Sequence, residues 1–259
     1  MTKYIRYRSG NTIAQGILDG DRVKELRGDL FNGRSETGIT HKLADVTLLY
    51  PCVPRQIMAV GLNYRSHVGT RPTPVNVEIF FKPLNSLQDP DGPIVFPRGA
   101  TEVHPEGELV VVIGKKLKDA TLEQARDGIF GVTCGNDVSE RQWQSGPQKD
   151  LQWWRAKGSD TFSPLGPAIV SGLDYGNLLL QTRVNGEVVQ KQTTADLIFD
   201  CPTIVKWVSE HLTLLPGDVI FTGTPGTTKK MNPGDTVEID IEDIGILRNR
   251  VVTAESLRG

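Results

Sequence analysis

Glu106-Gly107-Glu108-Leu109-Val110-Val111-Val112-Ile113 is the stretch from which the rest of the chain is read. Its short continuous apolar run is the pattern of a buried strand, expected from Glu106 to Lys115. Residues two apart in a strand share a face, so Glu106 and Glu108 project together. Two carboxylates on one face repel unless a proton or a cation lies between them. A hard divalent ion takes such oxygen ligands. The alternative is a solvated strand end with two surface acids, and Asp240 and Glu242 repeat the same spacing.

Working outward, Ile129 to Gly135 reads as a further strand that leads into Asn136-Asp137. An acid after a glycine at a strand end is placed to act as a ligand or a catalytic acid. If Ser139 starts a helix, Arg141 and Gln144 lie three apart on one face. Lys157 follows in Arg155-Ala156-Lys157-Gly158-Ser159-Asp160-Thr161-Phe162, as an ion-pair partner or as a group that binds a substrate carboxylate or moves a proton. Trp143, Trp153 and Trp154 flank the region, as pocket wall or as core.

Upstream, Gln56 to Gly61 is a short buried strand that opens into Leu62-Asn63-Tyr64-Arg65-Ser66-His67. A polar cluster at that place faces a pocket. His67 is either a hydrogen-bonded loop residue or a general base or acid on a mobile loop. Residues 69 to 77 hold two prolines and no periodicity, which suits a lid. Ile79 to Pro83 reads as one more short strand. Downstream, Asn185-Gly186 marks a hairpin, and Pro202 to Leu212 reads as a helix. In Thr222-Gly223-Thr224-Pro225-Gly226 the glycines permit close backbone approach to an anion, or simply a tight loop.

The 259 residues allow one large domain with a small appendage. Short alternating segments read as a small N-terminal β-module over residues 1–50, and Pro51 and Pro54 mark its join to a main domain over 51–259. With 27 glycines and 16 prolines, the chain is expected to be mainly β with a few short helices, an α+β protein. Apolar runs of about five residues exclude a transmembrane helix. The start, Met1 to Arg8, lacks a hydrophobic signal region, from which a cytoplasmic location is expected. A net charge of −2 gives no reason to expect nucleic acid. Cys52, Cys134 and Cys201 offer neither a CxxC metal spacing nor a disulfide framework.

Taken in order, Glu106 to Gly114, Gly135 to Arg141 with Gln144, Arg155 to Phe162 and Pro216 to Gly226 resemble the fumarylacetoacetate hydrolase family. The ordered motifs span about residues 56 to 250, behind a short N-terminal module of the kind bacterial members carry. The resemblance implies a mixed β-sandwich roll, a homodimer, and Mg²⁺ or Mn²⁺ (Ca²⁺ in some members) on Glu106, Glu108 and Asp137. Arg141, Gln144 and Lys157 would match groups that hold substrate oxygens or stabilise an oxyanion, with His67 as the catalytic base. Thr224, Gly223 and Tyr64 would contact substrate. The implied substrates are small keto acids, namely 2-oxo acids and 1,3-dicarbonyl compounds.

The expected activity is hydrolysis of a C–C bond through a metal-stabilised enolate. Decarboxylation and tautomerisation or isomerisation at the same site are the alternative, of the oxaloacetate or 2-hydroxyhepta-2,4-diene-1,7-dioate type. A non-catalytic binding protein on the same scaffold is a third reading. One departure bears on the choice. Many members carry a glutamate three residues after the lid histidine, and here that position is Thr70.

Overall fold

Alternating segments separated by glycine and proline turns build two large β-sheets and one two-stranded ladder, seen in a computed structural model that describes residues 1–257. The last two residues of the 51–259 segment lie outside the described residues. The larger sheet has twelve strands, ten of them in one path: Ser35–Lys42, Arg22–Arg27, Thr12–Asp19, Thr2–Ser9, Ser163–Ser171, Ile129–Asn136, Gly107–Ile113, Val219–Phe221, Ile57–Gly61 and Glu78–Lys82. The smaller has five: Glu187–Thr193, Leu179–Val184, Thr236–Ile241, Gly245–Thr253 and Pro93–Phe96. Most neighbours are antiparallel, but Val219–Phe221 runs parallel to Ile57–Gly61, and Gly245–Thr253 parallel to Pro93–Phe96. The fold is therefore a mixed, mainly β sandwich with a few short helices, as expected.

The first fifty residues enter the large sheet through Thr2–Ser9, which pairs with Ser163–Ser171. Such a contact across more than 160 residues has no local signature. The Asn185-Gly186 turn has φ of 52° and 82°, the left-handed pair that a two-residue hairpin requires. The helix expected from Pro202 runs over Cys201–His211. The Asp200 carboxylate accepts from the Thr203 N–H at its start.

Gly107–Ile113 lies deep in the large sheet, between Ile129–Asn136 and Val219–Phe221, and every residue of it is buried. It is shorter than the expected Glu106–Lys115 because its ladder ends at Gly107↔Asn136 and Ile113↔Ile129. Leu109, Val111 and Ile113 join a core shared with Leu180, Ile239 and Leu247 of the small sheet, whereas Val110 and Val112 pack with Leu165, Val219 and Phe221. A continuous apolar run is thus explained by burial on both faces.

Gly107 points at the small sheet. A Cβ there would lie 2.2 Å from Thr182 Oγ1 and 3.2 Å from Ile239 Cδ1. Gly107→Ala is expected to destabilise the fold by about 1–3 kcal/mol, the usual cost of overpacking a core. Urea unfolding monitored by tryptophan fluorescence reads the loss as a lower midpoint at unchanged slope.

Candidate functional site

The strand end that carries Glu106 is fixed by backbone pairing. Asn136 Oδ1 accepts from the Glu106 N–H at 2.9 Å, and Glu106 O accepts from the Asp137 N–H at 2.9 Å. Glu106 and Glu108 share a face, and the neighbouring strand delivers Asp137 to the same place. One ligand atom from each of the three carboxylates lies within 4.8 Å of the others, and all three side chains are buried.

Lys157 sits in the short Trp154–Gly158 helix, which sequence periodicity did not reveal. Its Nζ donates to Glu106 Oε2 at 2.6 Å and to Asp137 Oδ2 at 2.5 Å. An ammonium has three N–H groups, so one is left for another oxygen. Arg141 starts the Arg141–Ser145 helix, two residues later than Ser139, because Ser139–Glu140 pairs as a strand with Val103–His104. Its guanidinium forms an ion pair with Glu106 Oε1 at 2.5 Å and donates to Gln144 Oε1 at 2.7 Å and to Thr228 Oγ1 at 2.9 Å. The expected i, i+3 pairing of Arg141 and Gln144 is present.

Lys82 is the residue that sequence reasoning missed. It ends the edge strand Glu78–Lys82 with its side chain wholly buried. Its Nζ donates to Asp137 Oδ1 and to the Lys157 carbonyl, both at 2.5 Å. The signal was a single charge in the apolar run Ile79-Phe80-Phe81-Lys82-Pro83.

The electrostatics separate the three acids. Burial acts to raise the Glu106 carboxyl, but Lys157, Arg141 and the hydrogen bond from Lys157 together hold it well below the usual carboxylate range. Burial pushes Glu108 well above that range, and the charges of Asp137 and Glu106 add to the push. For Lys157, burial works against the ammonium, yet Asp137 and Glu106 win and its pKa is raised. For Lys82, burial wins over Asp137 and its pKa is lowered. Among the described residues Glu108 accepts one hydrogen bond, from the Gly223 N–H at 2.7 Å. It is a buried carboxylate beside two others with no ammonium or guanidinium of its own among the described residues. A hard divalent cation on the three carboxylates would supply that missing charge, so the donor set fits such an ion.

The other expected site residues are placed as follows. His67 lines the cavity next to the carboxylates, on the turn Arg65–Val68, and its Nδ1 lies 2.5 Å from Gly226 O. Thr224 lines the same cavity, but its hydroxyl donates to Gly107 O and accepts from Gln190 Nε2. Gly223 has φ +106°, and a Cβ there would approach Asn63 Cβ to 2.9 Å, so glycine is needed where its N–H meets Glu108. Its backbone thus serves Glu108. Tyr64 corrects the substrate-contact expectation. The residue bridges to Leu197, its ring is buried in the core, and its hydroxyl has no partner among the described residues. The apolar ring was claimed by packing, whichever polar neighbours surround it in sequence. Of the tryptophans, Trp143 is core, Trp153 lines the cavity and Trp154 is 67% exposed.

The cavity measures about 470 Å³, a size suited to a small ligand. A mixed β-sandwich gathers three buried carboxylates, the Lys157 ammonium and the Arg71 and Arg141 guanidiniums around this cavity, and its carboxylate donor set fits a divalent ion. The chain belongs to the fumarylacetoacetate hydrolase family. Residues 56–252 match the fumarylacetoacetate (FAA) hydrolase C-terminal model, and residues 2–51 match an Rv2993c-like N-terminal model.

The chain is similar to a crystal structure of 2-hydroxyhepta-2,4-diene-1,7-dioate isomerase from Mycobacterium marinum. Identity is 40% and the TM-score 0.88, over 98% of this chain and 99% of that one. It is 41% identical to the mitochondrial oxaloacetate tautomerase FAHD2A of Homo sapiens, over 81% of this chain and 70% of that protein. It is also similar to maleylpyruvate hydrolase from Sphingobium sp. SYK-6, a structure in complex with manganese(II) and pyruvate. There identity is 28% and the TM-score 0.80, over 97% of this chain and 99% of that one. Among the described residues no helix is long and apolar enough to cross a membrane.

Proposed function

We propose that this chain is a divalent-metal-dependent enzyme that moves a proton beside the keto group of a small 2-oxo acid, as a keto–enol tautomerase or double-bond isomerase. The observation that carries the reading is the partner of His67. A carbonyl oxygen only accepts, so the contact with Gly226 O puts the proton on Nδ1 and leaves the Nε2 lone pair as the base. Among the described residues no carboxylate pairs with the ring. A backbone carbonyl orients an imidazole without stabilising the imidazolium as a carboxylate does. That arrangement suits taking up and returning a proton more than it suits stripping one from water.

Bound to Glu106, Glu108 and Asp137, Mg²⁺ or Mn²⁺ supplies Lewis-acid stabilisation of negative charge on the substrate's oxygens. The chain does the rest. His67 takes the proton from the carbon next to the keto group. The electron pair of that C–H bond becomes the new C–C double bond, and the keto π pair moves onto oxygen. The third N–H of Lys157 and the unused N–H groups of Arg141 hold that oxygen. Return of the proton to a different atom completes the isomerisation. The similarity to a tautomerase and to an isomerase supports this reading.

Hydrolytic C–C cleavage is the second reading, supported by the likeness to the Sphingobium hydrolase. It requires His67 to activate water without the carboxylate that Thr70 replaces. The experiment that decides is incubation of the Mn²⁺-loaded protein with oxaloacetate or an acylpyruvate in D₂O, followed by proton NMR. Metal-dependent deuterium exchange at the carbon beside the keto group, with the carbon skeleton intact, is expected. Two separate acids would instead establish hydrolysis, and pyruvate with CO₂ decarboxylation. A homodimer is part of the proposal. Exposed Phe81, Leu151 and Trp154 rim an apolar groove beside the edge strand Glu78–Lys82, and a second copy would cover both.

A further inference from the structure

The mechanism above leaves one cation of the cavity without a task. Arg71 lines the cavity from the segment that follows the Arg65–Val68 turn. Its guanidinium donates from Nε to Val68 O at 3.1 Å and from Nη2 to His67 O at 2.5 Å. Both acceptors are neutral carbonyls. The other permanently charged groups on the cavity wall are already matched, Lys157 by Glu106 and Asp137, and Arg141 by Glu106. Among the described residues no carboxylate pairs with Arg71. Two of its five N–H groups are used, which leaves three on a planar fork suited to a carboxylate.

The two carbonyl contacts also fix where that fork stands. They tie the guanidinium to the backbone of His67 itself, on the side of the cavity that carries the base. Ser145, Thr227 and Thr228 add hydroxyl groups to the wall. A ligand whose keto-acid end meets Lys157 and Arg141 can therefore present a second anionic group to the side of the cavity that carries Arg71. We infer that Arg71 anchors a second, distal carboxylate and so selects 2-oxo dicarboxylates over 2-oxo monocarboxylates. The inference rests on the 2-oxo acid reading given above and deepens it.

Arg71 also closes the carbonyls of the Arg65–Val68 turn, and a purely structural role would loosen the segment for every ligand alike. The test therefore compares two ligands. Calorimetry on the Mn²⁺-loaded full chain measures binding of 2-oxoglutarate and 2-oxopentanoate, which have the same chain length and differ in the distal carboxylate. The wild type is expected to prefer 2-oxoglutarate. In Arg71→Met the affinity for 2-oxoglutarate falls about 10- to 100-fold more than that for 2-oxopentanoate, the range of a hydrogen bond to a charged group. Arg71→Lys restores most of the preference, because charge is retained. Equal losses for both ligands, or no preference in the wild type, overturn the inference and leave the 2-oxo acid reading standing. Binding of Mn²⁺ with binding of neither ligand overturns both.

Discussion

Asp137→Asn is expected to have its affinity for Mn²⁺ reduced at least about 100-fold, beyond the loss caused by removing a supporting contact to a ligand. Activity should fall by about 10²–10³ or more, as charge stabilisation at the substrate oxygen is lost. The substitution keeps the size of the side chain, so the effect comes from charge and donor pattern. Asp137 accepts from Lys82 on Oδ1 and from Lys157 on Oδ2. An amide offers one acceptor and one NH₂, so in either orientation it turns two donors toward one of the ammonium groups. Breaking a buried pair by removing one partner costs about 3–5 kcal/mol, since the charge left behind stays out of water. Metal content after exchange into Mn²⁺ and chemical unfolding of the metal-free protein check the two halves. Retained metal at full activity would contradict the assignment of Asp137.

Lys157→Met is the second large effect, and it differs in kind. Methionine fills nearly the same space but removes the N–H left for substrate and the bridge between Glu106 and Asp137. The rate is expected to fall by about 10²–10³ while Mn²⁺ remains bound, because the two acids lose a competitor for the ion. Without metal, the variant should be destabilised by about 3 kcal/mol, the low end for breaking a buried pair, because Lys82 still pairs with Asp137 and Arg141 with Glu106. Added Mn²⁺ should recover more stability in Lys157→Met than in the wild type, because a ligand stabilises the state that binds it better. Thermal unfolding with and without Mn²⁺ measures the difference. A variant that keeps its rate within about threefold would remove Lys157 from the chemistry.

These expectations show which parts of the site local sequence carries. The common face of Glu106 and Glu108 follows from strand periodicity, and Asp137 from its place at the end of the next strand. Arg141 and Gln144 follow from helical spacing, with an error of only two residues in where the helix begins. Lys82 was lost because its partner, Asp137, is 55 residues away, and nothing in the run Ile79 to Pro83 shows that the strand end is buried. Tyr64 was misplaced for the converse reason. Its neighbours are polar, but a bridge to Leu197 turns its ring into the core. The sandwich itself was legible as a class, from short apolar runs punctuated by glycine and proline. The order of its strands was not, because Thr2–Ser9 meets Ser163–Ser171 only through long-range pairing. Thr70 stands where many members carry a glutamate, and the partner of His67 is the carbonyl of Gly226, a long-range contact with no local signature.

Glu106, Glu108 and Asp137 are proposed as one divalent-metal site. Titration of the metal-free protein with Mn²⁺, followed by electron paramagnetic resonance of the free ion, tests it most directly. Saturation at one ion per chain is expected in the wild type, with loss of that site in Asp137→Asn. Equal Mn²⁺ binding by the two proteins, or none by the wild type, would contradict it.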